Sequence, residues 1–301
     1  MKKVVSVIVT YEPDAAMLGR LLDSLCPQVA GVVVVDNGST ADVGGMLAEM
    51  GHDDVTLLEL GWNQGVAAAQ NHGLTWALQQ GSDAVLLMDQ DSVPAPDMVS
   101  RLLAAWQDCL QRGVGVAALG PRYVDERLSR NTPFIRSEGR RLVRVACDGP
   151  EKVVAVDYVI SSGCLLPREA IETVGLMRDE LFIDYVDVEW GLRAAGSGLL
   201  SFGVCDARMT HRLGDDPIHF MGRSVAARSP RRHYYFCRNA LLLYRQAGIP
   251  LNWKLLDAWR LLVKYVFYSL LTRDRLAHFR MMSLGLWHGA MGRGGPLRVR
   301  R

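Results

Sequence analysis

The 301-residue chain contains no uninterrupted apolar run of the roughly 18 residues that a membrane-crossing helix needs. It carries no cleavable leader pattern either: Met1-Lys2-Lys3 leads into a short valine-rich segment that stops at Thr10, with no cleavage-site pattern behind it. A strand is expected there, in a protein that stays in the cytoplasm. The six cysteines, Cys26, Cys109, Cys147, Cys164, Cys205 and Cys237, lie far apart and form no C-x-x-C pair, which argues against disulfide and zinc frameworks. Two phosphate-binding signatures are also missing. No G-x-G-x-x-G follows the first apolar segment, Gly113-Val114-Gly115 precedes a strand pattern instead of a helix, and no Walker-type loop with its lysine occurs. Nicotinamide, flavin and P-loop chemistry are thereby set aside.

Acid is scarce in one region. Residues 1–222 hold 18 Lys and Arg against 30 Asp and Glu, whereas residues 223–301 hold 16 against Asp257 and Asp274 alone. A tail so basic suits an anionic surface, either membrane headgroups or nucleic acid, although a solvated helix face has the same composition. No nucleic-acid module accompanies it, so nucleic acid is not expected as a partner and the membrane is favoured. Within the tail Leu255, Leu256, Trp259, Leu262, Val263, Val266, Phe267, Leu270 and Leu271 recur at helical steps, with Arg260 and Lys264 between them. A helix lying on a membrane, one packed on its own domain and one packed on a twin subunit share that pattern. The basic excess tips the reading toward peripheral contact with the inner face of the cytoplasmic membrane, and a homo-oligomer stays open.

What is present suits one large α/β unit with a helical appendage: 49% hydrophobic and 22% charged residues over a length that can bury a substantial core. Short β-branched runs alternate with amphipathic stretches, the mark of a largely parallel sheet flanked by helices. Strands are predicted at Val4 to Thr10, Val32 to Asp36, Val55 to Leu60, Ala84 to Met88 and Val114 to Leu119, then a hairpin around Arg140 to Val145. An apolar run at Tyr158 to Leu166, a helix from Arg168, an acidic helix start at Asp184 to Glu189 and a strand at Leu199 to Val204 complete the core. Residues 1–120 form the expected nucleotide-binding half, 121–230 the acceptor half, and 231–301 a basic helical region.

Asp89-Gln90-Asp91 directly follows an apolar strand. Ligands of open α/β sheets bind beyond the carboxyl ends of strands, and alternation aims both acids to one side with Gln90 facing away. Hard cations such as Mg²⁺ or Mn²⁺ take such carboxylates together with phosphate oxygens. Taken alone, two acids after a strand are as readily a solvated turn. Their company changes the reading: Thr10-Tyr11-Glu12-Pro13 ends the first strand, Asp36-Asn37-Gly38-Ser39-Thr40 the second, and Gly61-Trp62-Asn63-Gln64-Gly65 through Asn71-His72-Gly73 follows the third.

In that order, these segments resemble the donor-binding motifs of family 2 inverting glycosyltransferases, which share the GT-A nucleotide-diphospho-sugar transferase fold. The resemblance implies that Asp36 meets the nucleobase, that Thr10, Tyr11 and Glu12 line the base pocket, and that Asn37, Asn63, Gly65 and Asn71 hold the nucleoside and shape the site. It places Asp89 near ribose and metal and makes Asp91 the direct ligand of a divalent ion. An inverting transfer needs one base beside the acceptor hydroxyl. The resemblance puts that base at Asp187, within Phe182-Ile183-Asp184-Tyr185-Val186-Asp187-Val188-Glu189-Trp190, with Val186 in place of the customary Glu. His211 falls where the family has a histidine completing the metal shell or touching phosphate.

Thr10 to Asp14, Asp89 to Ser92, Phe182 to Trp190, His211 to Gly214, and Arg232-His233-Tyr234-Tyr235 with Arg238-Asn239 resemble, more narrowly, bacterial rhamnosyltransferases. That implies dTDP-L-rhamnose as donor and a saccharide or lipid-linked saccharide of the lipopolysaccharide core or O-antigen as acceptor. Glu189, Trp190, Tyr234, Tyr235 and Arg238 are candidates for acceptor contact or for lining the site, and packing of a basic helix on the core fits the last three equally. The alternatives are another UDP-, dTDP- or GDP-sugar donor, or an inactive carbohydrate-binding scaffold. A sugar nucleotidyltransferase would need a glycine-rich basic loop where Tyr11-Glu12-Pro13-Asp14 stands.

Overall fold

The computed structural model describes residues 2–125, 130–131, 133–139, 141–147, 149, 152–211, 215–220 and 223–297. Valine-rich segments make strands because both faces are covered, as a parallel sheet between helix layers requires. β1 (Val4–Thr10) and β2 (Gly31–Asp36) are buried along almost their whole lengths. With α1 (Ala15–Leu25), α2 (Val43–Glu49), β3 (Thr56–Glu59), α3 (Val66–Gln79) and β4 (Ala84–Asp89) they form a β-α-β series. Asp14 caps α1 by accepting from the Met17 amide at 2.9 Å, and the apolar side of that helix, Leu18, Leu21, Leu22 and Leu25, closes one face of the sheet. On the other face α3 lies close, because its inner side is small: a β-carbon on Gly73 would stand 2.2 Å from a Val7 methyl.

Beyond β4 come β5 (Ser92–Pro94), α4 (Met98–Gln111) and β6 (Val116–Asp125), with the short β7 (Arg130–Asn131) paired on β6. The hairpin expected around Arg140 to Val145 is present as β8 (Phe134–Glu138) and β9 (Arg141–Val145). Then follow β10 (Val153–Val156), β11 (Cys164–Pro167), α5 (Arg168–Val174), α6 (Val186–Gly196) and β12 (Leu200–His211), and a hairpin of β13 (Asp215–Phe220) with β14 (Arg223–Ala227). The main sheet runs β10-β12-β6-β11-β4-β1-β2-β3. It is parallel among β1 to β4, and mixed in the second half, where β11 enters antiparallel between β4 and β6. Three helices end the chain: α7 (Pro230–Tyr244), α8 (Leu251–Leu271) and α9 (Arg275–Ala290).

The apolar run at Tyr158 to Leu166 is a strand only from Cys164, since Gly163 turns the chain at φ +79° beforehand. β12 extends past Val204 to His211, through a register shift against β6 between Val204 and Arg208. The cysteine reading needs correction: Cys147 and Cys205 form a disulfide, their Cα atoms 5.5 Å apart across a sequence separation of 58. Local spacing carries no trace of a pair made by tertiary folding. Among the described residues, no helix is long and apolar enough to cross a membrane.

Candidate active site

Strand order reverses at β1, with β2 and β3 on one side and β4 on the other, and a crevice opens beyond the strand ends at such a switch point. Register sets those ends level, with Thr10 beside Asp36 and Val9 beside Asp89. The sequence motifs therefore reach one edge of the sheet because their strands stop together.

The donor-side residues form a hydrogen-bonded rim. Asp36 is buried and accepts from the Thr10 hydroxyl at 3.0 Å, the Ser39 hydroxyl, and the Gly38 and Ser39 amides at 3.2 and 2.9 Å. Glu12, at φ +47°, uses its carboxylate to accept from Thr40, and the Tyr11 amide donates to Gln90 at 2.8 Å while the Gln90 amide returns to the Tyr11 carbonyl. Gln90 thus ties the β1 loop to the β4 loop. Asn37 accepts from the Gln64 amide at 2.8 Å and donates to Asn63, whose oxygen also accepts from the Gly65 amide. Gly65 sits at φ +91°, where a β-carbon would meet the Phe182 ring at 2.5 Å, so only glycine suits that position.

Asn71 serves the other wall. Its amide donates to the Met177 carbonyl at 2.8 Å and to Asp179, and its oxygen accepts from the Met177 amide, which pins the segment leading to the acidic motif onto α3. From there the backbone runs through Phe182, Asp184 and Tyr185 at φ +63°, +64° and +65°. Such conformations cost non-glycine residues about 1 kcal/mol or more each and gather at functional sites. The turn leads directly into α6, with Asp187 in its first turn.

The Asp187 carboxyl is pushed up from the ordinary aspartate value of 3.8 to about 6. Burial is the main cause, and the negative charges of Asp184 and Asp89 push the same way; the Val188 amide, donating at 2.9 Å, offsets part of it. Asp184 itself is held by Arg228 at 2.9 Å and Arg232 at 3.3 Å. Asp89 is thus within electrostatic reach of Asp187, and its amide donates to Ser162, which bonds Ser92 at 2.6 Å. Register places the His211 backbone opposite Ser92, one residue past Asp91. Among the described residues no group of three or more His, Cys, Asp or Glu side chains is gathered to hold a metal.

The candidates for acceptor contact are packed inside. Glu189 is fully buried between Arg178 at 3.1 Å and Arg193 at 3.0 Å, and the Trp190 indole donates to the Gly175 carbonyl at 2.8 Å. Tyr235 stacks on Phe182 with ring centroids 4.8 Å apart, and the Tyr234 hydroxyl bonds His288 at 2.8 Å. Arg238 is buried and donates to the carbonyls of Glu180, Leu181 and Gly295. Its neighbour Asn239 donates to those of Leu181, Ile183 and Asp184, each at 2.8 Å. Single residues read along the sequence did not reveal this clamp; two polar residues adjacent on an otherwise apolar helix face were its only signal.

A polar rim at the strand ends, a lifted Asp187 carboxyl and an α/β sheet reversing at β1 fit one class: a glycosyltransferase with a GT-A-type fold. The chain belongs to glycosyl transferase family 2, whose family model matches residues 6–172. It is 36% identical over 248 residues to the dTDP-rhamnosyl transferase RfbF of Shigella flexneri, covering 82% of this chain and 81% of that one. Among solved structures, S. aureus TarS 1-349 superposes with a TM-score of 0.58 at 14% identity, covering 95% of this chain and 80% of that one. GalNAc-T7 with UDP, GalNAc and Mn²⁺ gives 0.58 at 13% identity, and this chain, 93% covered, spans 58% of its length. At these identities the structures speak for the fold alone.

Proposed function

We propose that the chain transfers L-rhamnose from dTDP-L-rhamnose, with inversion, to a hydroxyl of a saccharide or lipid-linked saccharide of the lipopolysaccharide core or O-antigen. The observation that carries an inverting transfer is the Asp187 carboxyl, lifted to about 6 by burial, with the Asp184 and Asp89 charges pushing the same way. The likeness to the Shigella flexneri dTDP-rhamnosyl transferase supports the choice of sugar. Asp187 accepts the proton of the acceptor hydroxyl as that oxygen attacks the anomeric carbon. The bond from that carbon to the diphosphate oxygen breaks on the opposite face, and dTDP leaves.

Oxygen donors after β4 suit a hard cation: Asp91 and Asp89 would hold Mg²⁺ or Mn²⁺ together with the donor's diphosphate, and His211, whose backbone pairs with Ser92, would join them. Such an ion would offset charge on the leaving group. Asp36, Thr10 and the Tyr11 backbone would border the nucleobase. Residues 1–230 would be the catalytic part and 231–301 a basic amphipathic helical region, in an enzyme that is cytoplasmic and peripheral on the inner membrane face.

A donor panel tests the reading. Nucleotide release is measured from dTDP-L-rhamnose, UDP-sugars and GDP-sugars, with and without divalent ions. Turnover highest on dTDP-L-rhamnose and lost with chelator is expected. Preference for another donor would overturn the sugar, and no turnover on any donor would favour a binding scaffold.

A further inference from the structure

We infer that the outer face of the α8–α9 hairpin is a docking surface for an anionic lipid bilayer, an inference that rests on the membrane-side placement above and gives it a site. Along α8, Leu251, Leu255, Trp259, Leu262, Val266 and Leu270 follow one another at steps of three and four, all exposed, with Leu255 at 63% and Trp259 at 66%. α9 continues the surface with Leu276, Phe279 and Trp287, the last 60% exposed. Most of the exposed large apolar side chains among the described residues lie on these two helices, far more than scattered surface leucines account for.

Charge selects the occupant. Arg260, Arg273, Arg275 and Arg280 are exposed around this apolar surface, and of the two acids in the region Asp257 is buried, leaving Asp274 alone outside. A second copy of this face would bring arginine against arginine, whereas anionic headgroups would meet them as counter-charges. Exposed Trp and Leu flanked by Arg match a helix seated at the boundary between headgroups and acyl chains.

The hairpin is also coupled to the site. On the inner face of α8, Asp257 accepts from the Tyr185 and Tyr244 hydroxyls, each at 2.7 Å, and Tyr185 lies two residues before the base. A bilayer under α8 would therefore fix the orientation of the acceptor side of the crevice, as a membrane-borne acceptor requires.

The test is flotation of the full chain with vesicles of phosphatidylglycerol and phosphatidylcholine, against vesicles of phosphatidylcholine alone. Binding to the anionic vesicles, weakened by salt, is expected. The double variant Trp259→Glu with Leu262→Glu should lose about tenfold or more of it, as should Arg273→Glu with Arg280→Glu. Both should keep wild-type nucleotide release from the sugar donor, which reads the reaction separately. Equal flotation of all variants would overturn the inference. So would a two-chain particle in light scattering that Trp259→Glu splits without any vesicle binding by the wild type.

Discussion

Asn239 donates its side-chain amide to the main-chain carbonyl of Asp184 at 2.8 Å, from a helix more than fifty residues further along the chain. With Arg238 it holds a turn that carries three non-glycine residues at positive φ and leads into α6 two residues before Asp187. The clamp offsets backbone strain that the turn could not hold alone. Asn239→Leu should cost about 2–4 kcal/mol, from the three bonds it donates, the one it accepts from Arg238 Nε, and buried carbonyls that lose a donor. It should lower kcat more than donor affinity. Urea unfolding and transfer kinetics check both, and unchanged kcat would show that the turn holds itself.

Gly65 joins the two walls. Gly65→Ala places a methyl on the Phe182 ring and strains φ +91°, so a stability loss of about 2 kcal/mol or more and weaker donor binding are expected. Thermal unfolding and nucleotide titration measure them. Wild-type values for both would contradict the close packing of the 63–66 loop on the acidic turn.

The lifted Asp187 carboxyl sets the pH response. A base must be ionised to accept a proton, so kcat should fall below a midpoint of about 6 rather than near 3.8. The same shift bears on stability with the opposite sense. A carboxyl harder to ionise when folded favours the folded state while protonated, and this contribution is lost as pH rises from 3.8 through about 6. Asp187→Asn should therefore be more stable than wild type above pH 7, by up to about 3 kcal/mol, with the difference shrinking toward pH 4. Urea unfolding at the two pH values reads it.

Much of the sheet edge was legible because β1, β2 and β4 are runs of branched apolar residues that stop at polar motifs, and parallel strands that stop together gather the loops at their ends. The acceptor side was less so. Glu189 and Arg238 read as candidates for acceptor contact or for lining the site; both are buried, Glu189 against arginines and Arg238 against main-chain carbonyls. Their partners are main-chain carbonyls and arginines distant in sequence. The Cys147–Cys205 pair was hidden for the same reason. On α8 the apolar stripe was visible in the spacing, but only the structure shows that its Leu255 and Trp259 side stays uncovered while Asp257 faces inward.

On the proposed reading, Asp187 takes the acceptor proton while the strand-end residues hold the donor. Calorimetric binding of dTDP and single-turnover transfer from dTDP-L-rhamnose, on wild type and Asp187→Asn side by side, address it most directly. Nucleotide affinity within about twofold of wild type, with transfer slowed by about 10² or more, is the predicted result. Transfer at the wild-type rate would remove Asp187 from the reaction and contradict the account.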